Sequence, residues 1–174
     1  MTDCGAACLA SVCAHYGLKV PVARIRQYAY TDQKGTNILG MVEAAQKLGF
    51  SAKGVRGVYD ALSMIPIPAI AHVVIKEVLH HFVVLYKISK KGVVYMDPAD
   101  GEIHKATRQE FEKMWTGILV ILEPNETFEK GNEKISMTMK FLQLLAPHKS
   151  MMTQALFGAL IYSVLGLSVS VYVG

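Results

Sequence analysis

Three cysteines lie within the first thirteen residues of the chain: Cys4, Cys8 and Cys13. Thr2 or Asp3 can cap a helix that begins at residue 3 or 4, and the thiol of Cys4 then lies beside unpaired backbone N–H groups. These groups and the positive end of the helix dipole lower a thiol pKa, which favours the nucleophilic thiolate. Cys8 and Cys13 lie further inside the same helix, where a cysteine usually acts as a small apolar core residue. Cys4 is therefore the candidate nucleophile.

The sequence disfavours two other uses of these cysteines, metal binding and disulfide formation. Cys4, Cys8 and a nearby His15 offer metal-ligand types, but a CxxxC spacing without a second cysteine pair is a weak metal signal. The cysteine count is odd, and the chain does not start with a secretory signal peptide, so we expect free thiols in a reducing compartment.

A nucleophilic cysteine needs a base, and His81 is the histidine that the pattern places best. It opens the predicted strand HFVVLY, and Asp97 ends the predicted strand VVYMD sixteen residues later. Adjacent antiparallel strands bring such residues within reach, so the Asp97 carboxylate can fix the imidazole tautomer as a catalytic triad requires. The alternative is that His81 is a strand-edge residue and that Asp97 only starts a turn before Pro98.

The elements that must position these residues follow from periodicity. Helical spacing and end signals predict helices from residue 3 or 4 to Gly17, from Pro21 to about Tyr28, and from Ile38 to Leu48 before Gly49. The period then changes, and short β-rich runs predict strands at 50–55, 69–75, 81–88, 93–97 and 118–122. We expect a meander-like antiparallel sheet, a hairpin turn at Lys90-Lys91-Gly92 and a short helix at 108–114. Helices first and strands second indicate the α+β class.

The last 25 residues, 150–174, carry no charged side chain, although the whole chain has 18 basic and 14 acidic residues. This run predicts a first transmembrane helix, since about 20 apolar residues cross the hydrocarbon layer of a bilayer. We assign 1–124 to one domain and 125–149 to a linker and an amphipathic helix, the helix at 135–145. Basic residues before the run favour a cytoplasmic N-terminal side. The net charge of +4 is modest and lacks the basic, aromatic-rich pattern of a nucleic-acid surface, so no nucleic-acid partner is expected.

Five motifs in order resemble a known family. They are DCGAACLASV around Cys4, TDxxGTNxxGxxxAAxxLGFSAKG from Thr31, HFVVLY at His81, DPADG at Asp97 and WTGxLVxLEP from Trp115. Together they resemble the cytosolic peptidase domain of peptidase-containing ABC transporters, the bacteriocin and lanthipeptide exporters that remove double-glycine leader peptides. The resemblance covers about residues 1–124.

This resemblance implies a papain-like fold with Cys4 as nucleophile, His81 as general base and acid, and Asp97 as the orienting carboxylate. His80 takes the place of His81 only if the strand register shifts by one residue. The implied function is a cysteine endopeptidase that cleaves double-glycine leaders of bacteriocin-like precursors, coupled to export. A non-catalytic leader-binding module is the alternative. A papain-like amidase or peptidase acting on cell-wall fragments is a third hypothesis, and it would need an export signal.

The resemblance also implies partners and a location. The expected partners are the double-glycine leader, the remaining transmembrane and ATP-binding domains of an exporter, and the membrane through residues 150–174. The expected location is the bacterial cell membrane with the peptidase domain on the cytoplasmic side. No cofactor and no metal are expected in the peptidase domain, and ATP is expected only in the nucleotide-binding domain of an exporter.

Two departures from the family pattern shape our expectations. Family members usually carry a glutamine six residues before the cysteine, in a short N-terminal strand, whereas Met1 lies three residues before Cys4. Such a glutamine donates to the oxyanion, so we expect the chain as written to be a weak peptidase at best. The chain also stops within the predicted first membrane span, which is expected of a fragment of an exporter.

Overall fold

A computed structural model of the chain describes residues 3–30, 36–75, 78–133 and 145–173. The chain divides into two compact units, Met1–Lys134 and Ile135–Gly174. The first unit contains every candidate residue named above, so its architecture decides what those residues can do.

Four helices form in the first unit. Their bounds are α1 Cys4–His15, α2 Val22–Tyr28, α3 Ile38–Lys47 and α4 Arg108–Met114, and a 3₁₀ helix covers Tyr59–Met64. Helix α4 begins with a capping box in which Thr107 and Glu110 satisfy each other's backbone N–H groups. All four agree with the predicted helices, whereas the 3₁₀ helix was not predicted.

Helix α1 starts differently from the prediction. Asp3 occupies the cap position, but its side chain makes no cap hydrogen bond. Its carboxylate instead pairs with the guanidinium of Arg26, 3.2 Å away. The expected Asp3 cap is therefore wrong, since an ion pair with helix α2 holds that side chain, and Thr2, the other expected cap, lies outside the described residues.

Six strands form one antiparallel sheet in the order β2-β7-β3-β4-β5-β6. Their bounds are β2 Phe50–Arg56, β3 Ala69–Ile75, β4 Leu79–Ser89, β5 Gly92–Asp97, β6 Glu102–Thr107 and β7 Trp115–Pro124. The five predicted strands are present, and β6 is an additional one. The expected meander holds only for β3 to β6, because β7 inserts between β2 and β3 and pairs with both.

Each face of the sheet is covered by a separate apolar core. On one face, helices α1 to α3 pack against Ile70, Phe82 and Val84. On the other face, Phe111 of α4 and the 3₁₀ helix pack against strand residues such as Leu85. Alternating residues of a strand point to opposite faces, so β4 contributes to both cores and is buried at five consecutive positions, 81–85.

The segment after Pro124 packs against the rest of the first unit. The ring of Phe128 lies 4.7 Å from that of Phe50 and 6.3 Å from that of Tyr16, both centroid to centroid. Residues Gly131–Asn132 (β8) then pair in parallel with Leu18–Lys19 (β1). Apolar packing and a short strand pair thus include these residues in the compact unit Met1–Lys134. The division into a domain at 1–124 and a linker with an amphipathic helix at 125–149 stays a prediction.

A long helix, α5, covers Lys149–Val173 in the second unit. In the part of the chain that the structure describes, no helix is both long enough and apolar enough to cross a membrane. The assignment of 150–174 to a first transmembrane helix stays a prediction. The amphipathic helix predicted for 135–145 lies outside the described residues except for its last one.

Replacing Phe128 tests whether this segment stabilises the peptidase unit. We expect Phe128→Ala to lower the free energy of unfolding by about 2 kcal/mol, less than for a fully buried phenylalanine because the ring is half-buried. Urea denaturation followed by circular dichroism measures the change. Glu129→Ala, at the exposed neighbouring position, is the matched control and should leave stability unchanged. Equal stability of the two variants would show that the segment is only a linker.

Candidate active site

Cys4 is the first residue of helix α1 and its side chain is half-buried. The helix is held against strand β4 four residues later, where the thiol of Cys8 donates a hydrogen bond to the carbonyl oxygen of Phe82 at 3.3 Å. Gly5 allows the helix to lie this close to its neighbours, since a Cβ at that position would come within 2.9 Å of Cβ of Thr36. The start of α1 is thereby fixed beside the start of β4, which carries His81.

His81 and Asp97 form a short, largely buried pair. The Nε2 atom of His81 lies 2.6 Å from Oδ1 of Asp97, and the two side chains are 1% and 16% exposed. The same Oδ1 accepts a hydrogen bond from the backbone N–H of Ala99 at 2.8 Å. Among the described residues, Nδ1 of His81 is buried without a hydrogen-bond partner. The imidazole is thus oriented through one nitrogen while the other keeps its hydrogen-bonding capacity.

Cys4 and His81 shift each other's pKa in the directions that favour a thiolate and an imidazolium. Burial by itself raises the pKa of Cys4, but interactions with the His81 imidazole and with the backbone of Phe82 and Gly5 outweigh it and lower the pKa. Cys4 is also the strongest influence raising the pKa of His81; burial opposes it, and Asp97 raises the pKa further. Such opposed shifts are expected of a cysteine nucleophile paired with its base.

His80 lies in a different environment from His81. It is exposed, its ring stacks on that of His72 with centroids 5.2 Å apart, and its Nδ1 lies 3.3 Å from Nε2 of His72. In the observed register Val73 is opposite His81, and His80 is opposite Val74. The structure therefore brings His81, and not His80, next to Asp97.

Cys8 and Cys13 are fully buried, as the helical pattern predicted. Burial raises the pKa of Cys8 well above its ordinary value and that of Cys13 to about 12. Both thiols are therefore protonated at neutral pH, and all three cysteines are free. Across the described residues, no three or more His, Cys, Asp or Glu side chains are grouped to hold a metal ion.

Sequence reasoning missed the backbone groups of this site. Phe82 and Gly5 act on Cys4, and Ala99 acts on Asp97, through main-chain atoms that every residue type possesses. The Asp97-Pro98 turn signal was the only available indication, because an aspartate that starts a turn often accepts a bond from the backbone two residues later.

The model of the peptidase C39 family matches residues 1–127 of the 174, which include all three residues of the candidate site. The chain belongs to the peptidase C39 family. The resemblance to the peptidase domains of ABC exporters, stated above from five motifs, is confirmed.

Curated C39 relatives are larger transport proteins. The lactococcin-G-processing and transport ATP-binding protein of Lactococcus lactis subsp. lactis is 34% identical over 86% of this chain and 21% of its own length. The pediocin PA-1 transport/processing ATP-binding protein of Pediococcus acidilactici is 31% identical over 95% of this chain and 23% of its own. This chain therefore spans less than a quarter of the length of these relatives.

Two solved C39 structures share the fold. The peptidase domain of Streptococcus ComA, a bifunctional ABC transporter involved in a quorum-sensing pathway, has a TM-score of 0.66 at 34% identity and covers 71% of this chain and 93% of its own. A double glycine motif protease from an AMS/PCAT transporter, solved in complex with the leader peptide, has a TM-score of 0.65 at 35% identity over 72% and 86%. The α+β architecture with an antiparallel sheet is thus that of C39 peptidase domains.

The pH dependence of thiol alkylation tests the link between Cys4 and His81. We expect His81→Ala to move the alkylation midpoint of Cys4 by iodoacetamide to higher pH, because the imidazole that lowers the thiol pKa is removed. Peptide-resolved mass spectrometry over a pH series measures the midpoint. His80→Ala is the matched control and should leave it in place. An unchanged midpoint in His81→Ala would mean that the two groups do not interact.

Proposed function

We propose that this chain is a cysteine endopeptidase that cleaves double-glycine leader peptides. The observation that carries the proposal is the convergence of the Cys4 thiol, with its lowered pKa, on a buried His81 that is bonded to Asp97 at 2.6 Å. Membership of the C39 family and the leader-bound protease of the same fold support the choice of substrate.

In this proposal the Cys4 thiolate attacks the carbonyl carbon of the second glycine of the leader. The tetrahedral intermediate collapses to a thioester as the peptide C–N bond breaks, and the His81 imidazolium gives its proton to the leaving amine. Neutral His81 then takes a proton from water, whose oxygen attacks the thioester carbon and releases the leader with a free carboxyl group. The thiolate and imidazolium are restored, so the cycle closes without any cofactor.

The proton moves through Nδ1 of His81 in this mechanism. Nε2 is occupied by Asp97, and Nδ1 is the ring nitrogen without a partner among the described residues. Asp97 fixes the ring orientation and stabilises the imidazolium, as the carboxylate of a catalytic triad does. His81 then contacts the Cys4 thiol through Nδ1 and the Asp97 carboxylate through Nε2.

We further propose that the peptidase works as part of a peptide exporter. The relatives are named as ATP-binding proteins that process and transport lactococcin G and pediocin PA-1. The leader of a precursor peptide, the remaining domains of the exporter and the membrane at residues 150–174 are the proposed partners. The peptidase unit would then face the cytoplasm, where precursors are made.

Cysteine variants test the nucleophile directly. We expect Cys4→Ala to reduce cleavage of a synthetic precursor with a Gly-Gly leader by at least about a thousandfold, since loss of the nucleophile removes the covalent route. Chromatography of the two products measures the rate. Cys13→Ala is the matched control and should retain most of the activity, because its thiol is buried and protonated. Cys8→Ala removes the hydrogen bond to Phe82 but not the nucleophile, so it should lose far less activity than Cys4→Ala. Equal losses in all three variants would remove Cys4 from its assigned role.

A further inference from the structure

The turn that joins strands β5 and β6 carries two aspartate–histidine pairs. Asp97 at its start is bonded to His81, and Asp100 inside it is bonded to His104, whose Nε2 lies 2.9 Å from Oδ2 of Asp100. The second pair is not part of the mechanism described above. Asp100 is the fourth residue of the motif DPADG, which begins at Asp97.

The first half of the turn is organised around Asp97. Its Oδ1 accepts the backbone N–H of Ala99 at 2.8 Å, and its carbonyl oxygen accepts the N–H of Gly101, also at 2.8 Å. Pro98 has no N–H to contribute. Gly101 adopts φ +76°, a left-handed conformation that lets the chain reverse toward β6. These two hydrogen bonds tie the side chain and the backbone of Asp97 to the turn as far as Gly101. The position of the Asp97 carboxylate therefore depends on the conformation of the turn.

The second half of the turn is organised around Asp100. Its Oδ1 accepts the backbone N–H of Glu102, the first residue of β6, at 2.8 Å, while Oδ2 bonds to His104. The ring of His104 stacks on that of Tyr95, its cross-strand partner on β5, with centroids 5.4 Å apart. These contacts fasten the end of the turn to both strands of the hairpin.

We propose that Asp100 and His104 are positioning residues that hold the turn so that Asp97 keeps its bond to His81. The proposal deepens the function proposed above and rests on it. Neither residue touches the thiol or the substrate in this assignment, and both act through the backbone of the turn.

The energetic consequence falls on catalysis rather than on stability. The side chain of His104 is 37% exposed and that of Asp100 is 47% exposed. Exposed pairs of this kind contribute little to the free energy of folding. A misplacement of about 1 Å in a catalytic group, however, costs up to about a hundredfold in rate. Loosening the turn lets Asp97 move away from an imidazole that is almost completely buried, and Nε2 of His81 then loses its 2.6 Å contact with the carboxylate. The loss should therefore appear in kcat, with KM unaffected.

Two matched pairs of variants in the full 174-residue chain test the proposal. We expect Asp100→Ala and His104→Ala to lower kcat for a Gly-Gly leader substrate by roughly tenfold, with KM within about twofold of the parent chain. Asp100→Asn keeps an acceptor for Glu102 and a polar group toward His104, and His104→Gln keeps a donor toward Asp100. Both should restore kcat to within about twofold of the parent chain. The Asp100→Ala/His104→Ala double variant should be no slower than the slower single variant, because both changes break one linkage.

Controls separate this proposal from the proposed function. Asp60→Ala breaks another exposed ion pair, with Arg108, and should leave kcat unchanged. If Asp100→Ala does not fold, as judged by circular dichroism, the His104 pair decides the result. The positioning role is overturned if the alanine variants match the parent chain, if only KM changes, or if the conservative variants lose as much activity as the alanine variants. If the Cys4→Ala variant instead cleaves the leader as fast as the parent chain, the proposed function itself is overturned.

Discussion

The packing of helix α1 against strand β4 is the constraint on which the candidate site depends. Cys8 and Phe82 are 74 residues apart in sequence, and their hydrogen bond lies in the apolar core that joins the helices to the sheet. Cys8 is four residues beyond Cys4, and Phe82 follows His81 directly. The contact between Cys8 and Phe82 therefore also fixes the thiol of Cys4 and the imidazole of His81. The geometry of the site is a consequence of core packing.

Burial and charge then determine the chemistry that this packing permits. Burying an imidazole that carries a charge is costly unless a partner compensates it, and Asp97 supplies that compensation at 2.6 Å. The Cys4 thiol lies on the more open side, where backbone groups and the imidazole favour its thiolate against the effect of burial. Cys8 and Cys13 belong to the same helix but lie wholly within the apolar core, which keeps them protonated. One helix thus holds three cysteines, and only the one at its start is suited to attack a carbonyl group.

The sequence predicted most helices and strands because they carry strong periodicity or clear end signals. Strand β6 was missed because its sequence, EIHKAT, contains no apolar run, and its residues are exposed or half-buried. The insertion of β7 between β2 and β3 could not be predicted, since the order of strands in a sheet depends on contacts between distant segments. His81 and Asp97 were paired correctly because a hairpin fixes the relation between neighbouring strands, whereas the contacts of Phe82 and Ala99 use backbone atoms that leave no mark in the sequence. Phe128 was overlooked because a single aromatic residue in a polar segment does not by itself indicate packing.

Covalent trapping tests the central claim most directly. A chloromethyl ketone peptide ending in Gly-Gly places its ketone carbonyl where the scissile carbonyl would lie. The thiolate then displaces chloride from the adjacent methylene carbon, and mass spectrometry of the digested protein identifies the alkylated cysteine. The account predicts a single adduct at Cys4, formed much more slowly in His81→Ala, with Cys8 and Cys13 unmodified while the protein is folded. Labelling of Cys8 or Cys13 at the same rate as Cys4, or no difference between the parent chain and His81→Ala, would contradict it.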